Sequence, residues 1–183
     1  MESLDLPLKI IPADIDERSI TDPDPNKRAE KIARAKAEKI AEKHEGIIIA
    51  ADTYTVCQDK VLEKPHDKNE ARLMLKLLSG KSAINYNGFC YIDMQNNINF
   101  STTARVVANF RELSDKEIDE YVSFFPVTSW AAAYSPAYPY GMTLIQSLNG
   151  SLTGFTHGLP MELVVTYLQK SGMVIKPKMQ KNV

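Results

Sequence analysis

Cysteine is scarce in this sequence. Cys57 and Cys90 are the only two in 183 residues, and they form neither a CxxC pair nor a metal-ligand spacing. A disulfide scaffold and a thiolate zinc site are therefore excluded, and two free thiols suit a reducing cytosol. Histidine is equally thin: His44, His66 and His157 are scattered without zinc-site spacing. There is no apolar span of membrane length and no charged-then-apolar leader, so the chain reads as cytoplasmic with no membrane partner. Charge of one sign is also lacking. The formal net charge is −1, and no Lys/Arg cluster stands unopposed by acids, which argues against a nucleic-acid partner. The loops GxGxxG, GxxxxGK[ST] and GxSxG do not occur, so P-loop and nucleophilic-hydrolase chemistry lack support. With no internal repeat and no low-complexity linker, residues 1–183 read as one domain.

What is present is ordinary in amount and informative in order. Apolar residues make up 44% and charged residues 25%, the balance of a soluble globular domain able to bury a core. Leu8–Ile11 predicts a short strand leading into the acidic turn Asp14-Ile15-Asp16-Glu17. Pro25 suits the first position of a helix that runs over 26–45 and stops at Gly46, with Ala29, Ile32, Ala33, Ala37, Ile40 and Ala41 as its apolar stripe. Ile47–Ala51 is continuously apolar, the pattern of a strand buried on both faces in a parallel or mixed sheet. Residues 54–56 and 60–62 predict a hairpin around Gln58-Asp59. Asp67 with Glu70 starts a helix over 69–78, and Ser114 with Glu117 starts another that Pro126 ends. Between them, 82–93 and 99–110 predict paired strands around Gln95-Asn96-Asn97. Met142–Leu148 and Ser151–Phe155 flank Asn149-Gly150 as a further hairpin. Pro160 opens a last helix that Gly172 closes, and the ends, 1–7 and 176–183, read as loose. Helices interleaved with local hairpins predict an α/β domain whose sheet is not purely parallel.

Several residues stand out for chemistry, each with a plainer alternative. Asp52 follows the apolar strand directly. Ligand sites of open α/β sheets lie at strand ends, but an Asp there also closes an Asx turn at Thr53. Lys36 falls on the apolar stripe of its helix, four residues after Ile32. It either meets an anion in a cleft or snorkels to the rim. Asp14, Asp16 and Glu17 could hold a hard cation such as Mg2+ or form a solvated turn. Lys64 precedes Pro65, so its backbone is extended and its side chain can be aimed, or it is a surface loop lysine. Trp130, Tyr134, Tyr138 and Tyr140 suit either base stacking or a core. Together, acids and lysines near strand ends are the inventory for metal-assisted chemistry on a polyphosphate.

These same residues resemble the Maf family of nucleoside triphosphate pyrophosphatases. Pro12–Glu17 resembles its IDE motif, Ala33–Ala37 its A-x-x-K-A helix, Ala51-Asp52-Thr53 its ADT strand end and Val61–Pro65 its K-P loop. Leu77–Gly80, Ala108–Val122 and His157–Pro160 fit as well. The resemblance implies a mixed, elongated sheet flanked by helices, with two lobes around a cleft, often as a homodimer. It implies hydrolysis of a nucleoside triphosphate to the monophosphate and pyrophosphate with Mg2+ or Mn2+, a house-cleaning reaction. Asp52 and Glu17 would hold the metal, Asp52 would activate water, Lys36 and Lys64 would neutralise phosphate charge, and Thr53 would contact substrate.

The chain also departs from the family. The opening strand and S-x-S-P-R-R turn, expected to grip phosphates, do not occur, and 1–7 resembles the segment after it. The expectation is a late start or a true loss, with a central strand and an anion grip missing, and hence a catalytically impaired relative as one alternative. Ala131–Gly141 contains no glutamine, and Ser79–Gly88 is similar to members acting on 7-methyl-GTP. ADT and LEKP resemble the dTTP/UTP branch, the expected substrates alongside a modified nucleotide.

Overall fold

Asp24 and Pro25 start the first helix as a cap and a pre-set first residue should. Asp24 Oδ1 accepts from the Asn26 N–H, and α1 spans Pro25–Ala41. In this computed structural model, which describes residues 6–176, the rest follows in chain order. Strands β1 Ile47–Cys57 and β2 Lys60–Leu62 join through Gln58 and Asp59, both at positive φ, the backbone of a tight hairpin turn. Helix α2 spans Lys68–Leu78, β3 Ser82–Asp93, β4 Ile98–Phe110, α3 Asp115–Phe124, α4 Pro139–Met142, β5 Ile145–Asn149, α5 Leu152–His157 and α6 Met161–Lys170. Asp67 caps α2 by accepting from the Asn69 and Glu70 N–H groups. Ser114 Oγ accepts from the Glu117 N–H at the start of α3. Ser114→Ala should lower stability by about 1 kcal/mol, the usual cost of an N-cap, read as a shift in the denaturant midpoint.

The strands form one sheet in the order β2-β1-β3-β4-β5. The α/β class holds, but the expected parallel or mixed pairing does not: every pairing among the described residues is antiparallel. The continuous apolar run has another cause. Ile48 and Ala50 pack under Ala33 and Ala37 of α1, while Ile47 and Ile49 pack on the other face with Val164, Tyr167 and Leu168 of α6. Burial on both faces records two helical layers and is silent about strand direction. From Ile47 to Tyr54, β1 has a strand neighbour only on the β3 side among the described residues.

On the face away from α1 there are two apolar clusters. One joins Phe89 and Tyr91 to α6. The other gathers Cys57, Ala83, Val106 and Phe110 with Leu75 and Leu78 of α2, Tyr121 of α3 and Tyr134. Between them the strands present the polar side chains of Thr53, Thr55, Asn85 and Asn87. This seam separates the two clusters.

Four local expectations fail. Asp52 does not follow the end of the apolar strand, because β1 runs on through it to Cys57. The segment after Asn149-Gly150 is not a return strand. Ser151 Oγ accepts from the Gly154 N–H and starts α5, so a cap outweighs the hairpin signal. Residues 8–11 make no strand: Ile10 is 93% exposed, and a strand needs a neighbour for its backbone groups. Helix α1 also ends a turn before Glu45. Of the ends expected to be loose, 1–5 and 177–183 lie outside the described residues. Leu6 packs against the α6 cluster. Among the described residues no helix is long and apolar enough to cross a membrane.

Candidate active site

Strand alternation decides where Asp52 points. Ile48, Ala50 and Tyr54 face α1, so Asp52 faces it as well. Its register neighbour across β3 is Gly88. A Cβ on Gly88 would lie 2.0 Å from the Ala29 carbonyl oxygen, so the helix backbone rests on the strand at this point. Two hydrogen bonds hold that end of α1 in place. The Tyr54 hydroxyl donates to the Pro25 carbonyl, and Thr103 Oγ1 donates to the Asn26 carbonyl. From there the helix runs back along β1, its Ala33 and Ala37 packing near Ile48. Lys36 is seven residues past Ala29. Helical side chains lean toward the N-terminus, and this lean brings Lys36 back to Asp52.

The contact is direct. Lys36 Nζ lies 2.8 Å from Asp52 Oδ1 and 2.8 Å from Glu17 Oε1. The Lys36 and Asp52 side chains are 18% and 11% exposed, whereas Glu17 is 47% exposed. Glu17 comes from the helical turn Glu17–Ser19, which Asp16 caps by accepting from the Arg18 N–H. Arg28 Nε donates to the Ile20 carbonyl and ties that turn to α1. Three separate segments thus place two carboxylates around one ammonium. Lys36 meets anions and is no snorkeller.

Burial works against the Lys36 charge, but the hydrogen bonds and charges of Asp52 and Glu17 outweigh it and raise its pKa above the ordinary 10.5. Because the folded value exceeds the unfolded one, the stabilisation is complete at neutral pH and is lost only as pH climbs through the folded value. The stability difference between the wild type and Lys36→Met should therefore stay constant from about pH 7 to 9 and shrink at higher pH. Denaturant titrations along that series check it.

The other expected residues lie elsewhere. Thr53 faces the opposite side of the sheet from Asp52, at the polar seam. Its Oγ1 lies 3.0 Å from Asn87 Oδ1 and 3.3 Å from the Gly158 carbonyl oxygen. Buried Asn87 donates in turn to the Ala104 carbonyl. Lys64 is exposed and makes no ion pair among the described residues. Its loop is pinned on either side, by the Ala132 N–H donating to the Glu63 carbonyl and by buried Pro65. Asp14 joins no ion pair either, and Asp16 serves as a cap. Tyr134 is core, whereas Tyr138 and Tyr140 are exposed at 48% and 40%. Gly88 went unnoticed in the sequence, although a glycine inside a strand often marks a close backbone approach.

No three His, Cys, Asp or Glu side chains gather as a metal cluster among the described residues. The donor set is smaller: two carboxylates, Asp52 and Glu17. That set fits Mg2+, which is usually held by one or two carboxylates together with substrate phosphates.

The family model described as Maf-like protein matches residues 1–171. The chain belongs to the Maf family. Among its Maf relatives, a dTTP/UTP pyrophosphatase of Syntrophomonas wolfei is 37% identical over 175 residues, 94% of this chain and 90% of its own length. A dTTP/UTP pyrophosphatase of Ruminiclostridium cellulolyticum is 34% identical over 172 residues, covering 93% and 88%. A 7-methyl-GTP pyrophosphatase of Colwellia psychrerythraea is 26% identical over 182 residues, covering 99% and 90%. In this Maf chain, the IDE, A-x-x-K-A and ADT motifs meet in space, through Glu17, Lys36 and Asp52.

Proposed function

We propose that this chain is a nucleoside triphosphate pyrophosphatase that takes dTTP and UTP. The carrying observation is the convergence of Asp52, Lys36 and Glu17 from three segments. Family membership and the names of the more similar relatives support the substrate class. The reaction adds water across the bond between the α and β phosphates. The monophosphate keeps the new oxygen, and pyrophosphate leaves.

In this reading Asp52 and Glu17 hold a divalent cation, Mg2+ or Mn2+, which when bound supplies charge neutralisation on the phosphate oxygens. Asp52 also orients the attacking water and takes its proton. Lys36 meets the phosphate oxygens that gain charge in the transition state. Lys64, free of ion pairs among the described residues, reaches the outer phosphates from its pinned loop. Thr53 bears on substrate from the seam side.

Lys36→Ala should raise the barrier in kcat/KM by about 1.5–3 kcal/mol, the size of a charge-assisted hydrogen bond. Steady-state kinetics check it, and an unchanged kcat/KM would remove Lys36 from the mechanism.

The function is tested by pyrophosphate release across canonical, methylated and deaminated triphosphates, with Mg2+ and with Mn2+. dTTP and UTP should lead. A lead by 7-methyl-GTP would favour the second reading, which the Ser79–Gly88 stretch and the Colwellia relative support. Silence across the panel would mark a catalytically impaired nucleotide-binding relative and overturn the proposal.

A further inference from the structure

We propose that Lys36 fills the place of the divalent cation until nucleotide arrives, so that ammonium and metal exchange rather than coexist. The inference rests on the reading of Asp52 and Glu17 as metal ligands, and it deepens that reading into an order of assembly. Its basis is a single shared gap. One ammonium lies 2.8 Å from both Asp52 Oδ1 and Glu17 Oε1. An ion bound by those two oxygens needs the space that Nζ fills, because magnesium–oxygen bonds are shorter still, about 2.0–2.1 Å.

Charge gives the same answer. Two carboxylates and one ammonium leave the gap with a single negative charge. Adding a divalent ion without moving Lys36 would set three positive charges against two negative ones at contact distance, in a half-buried place. Lys36 has to leave, and only its side chain can. The helix that carries it is held by the Ala29–Gly88 contact and by the Tyr54 and Thr103 hydrogen bonds. Its four-carbon stem is flexible enough to swing.

A displaced ammonium needs a new anion. The triphosphate supplies one beside the metal that its own phosphates help to bind. Metal alone has to break two ion pairs, and nucleotide alone has to draw Lys36 from two carboxylates. Each ligand lowers the other's cost, which is positive coupling between metal and nucleotide. The free protein thus keeps its carboxylates capped and takes up metal poorly until a triphosphate is present.

The test follows the lysine itself. Wild-type protein labelled with 15N-lysine is titrated with MgCl2 alone, and the Lys36 ammonium resonance is read, assigned by its loss in Lys36→Met. Mg2+ should shift and broaden it, and EDTA should restore it. Calorimetry with MgCl2 alone should show Lys36→Met binding at least about tenfold more tightly than wild type, and Asp52→Asn binding more weakly. A Lys36 resonance that stays put while Mg2+ binds the wild type overturns the exchange. Equal Mg2+ affinity of the wild type and a folded Lys36→Met overturns it as well, as does the absence of binding in both. If Lys36→Met misfolds, Lys36→Arg supplies the assignment and the titration of wild type carries the test. Pyrophosphate release is scored separately. Turnover with an unmoved Lys36 resonance sinks the exchange and leaves the function standing. Exchange without turnover of any triphosphate sinks the function and leaves the exchange standing.

Discussion

Asp52→Asn should cut kcat by about 10²–10⁴-fold, the range for loss of a positioned acid–base group. The substitution changes charge and proton affinity and little else. An asparagine oxygen can still accept from Lys36, Glu17 still pairs with that ammonium at 2.8 Å, and the apolar packing of Ile48 and Ala50 beneath α1 is untouched. The denaturant midpoint should therefore stay close to wild type while pyrophosphate release collapses. Rate and midpoint must be read together, because a low rate with a low midpoint would report a damaged fold. Near-normal turnover in a folded variant would remove Asp52 from the chemistry and take the mechanism with it.

Gly88→Ala should strike both stability and activity through one contact. The added methyl would lie 2.0 Å from the Ala29 carbonyl oxygen and 2.4 Å from its carbonyl carbon. Those are backbone atoms of a regular helix, so no side chain can swing clear. Either α1 lifts or β3 bends. The cost should be about 1–3 kcal/mol or more, as for other overpacked cores, and each kcal/mol lowers the melting temperature by about 2–4 °C at this size. Lifting α1 also carries Lys36 away from Asp52, since the two groups are joined through that helix. Turnover should fall further than the unfolded fraction alone accounts for. Unchanged stability would mean that helix and strand lie farther apart than described. Normal activity in a destabilised variant would mean that Lys36 is held by something other than α1.

Sequence patterns that depend on neighbouring residues proved legible. The caps at Asp67 and Ser114, the stripe of α1 and the hairpins at Gln58-Asp59 and Gln95–Asn97 stand where they were expected. The meeting of Lys36 with Asp52 and Glu17 could be anticipated because a lysine on an apolar stripe has to find an anion. Patterns that depend on distant partners did not show. Ile47–Ala51 advertises burial on both faces, yet helices above and below produce that in an antiparallel sheet as readily as in a parallel one. Ser151 reads as the start of a return strand until its hydroxyl is seen on the Gly154 N–H. Leu8–Ile11 has the composition of a strand and, among the described residues, no strand beside it. Asp52 and Thr53, adjacent in the chain and grouped together on paper, stand on opposite sides of the sheet.

That last opposition limits how the gene can change. Along β1 the side chains alternate, with the carboxylate facing one helical layer and its neighbouring hydroxyl facing the other. Deleting one codon between Ile47 and Ala51 would exchange their roles. The acid would turn toward the Asn87–Gly158 seam and the threonine toward Lys36, unless a bulge absorbed the missing residue. Two codons lost together would preserve the facing and shorten only the strand. Length variation in this strand should therefore be tolerated in steps of two and selected against in steps of one, a parity rule written in the pleat of the backbone.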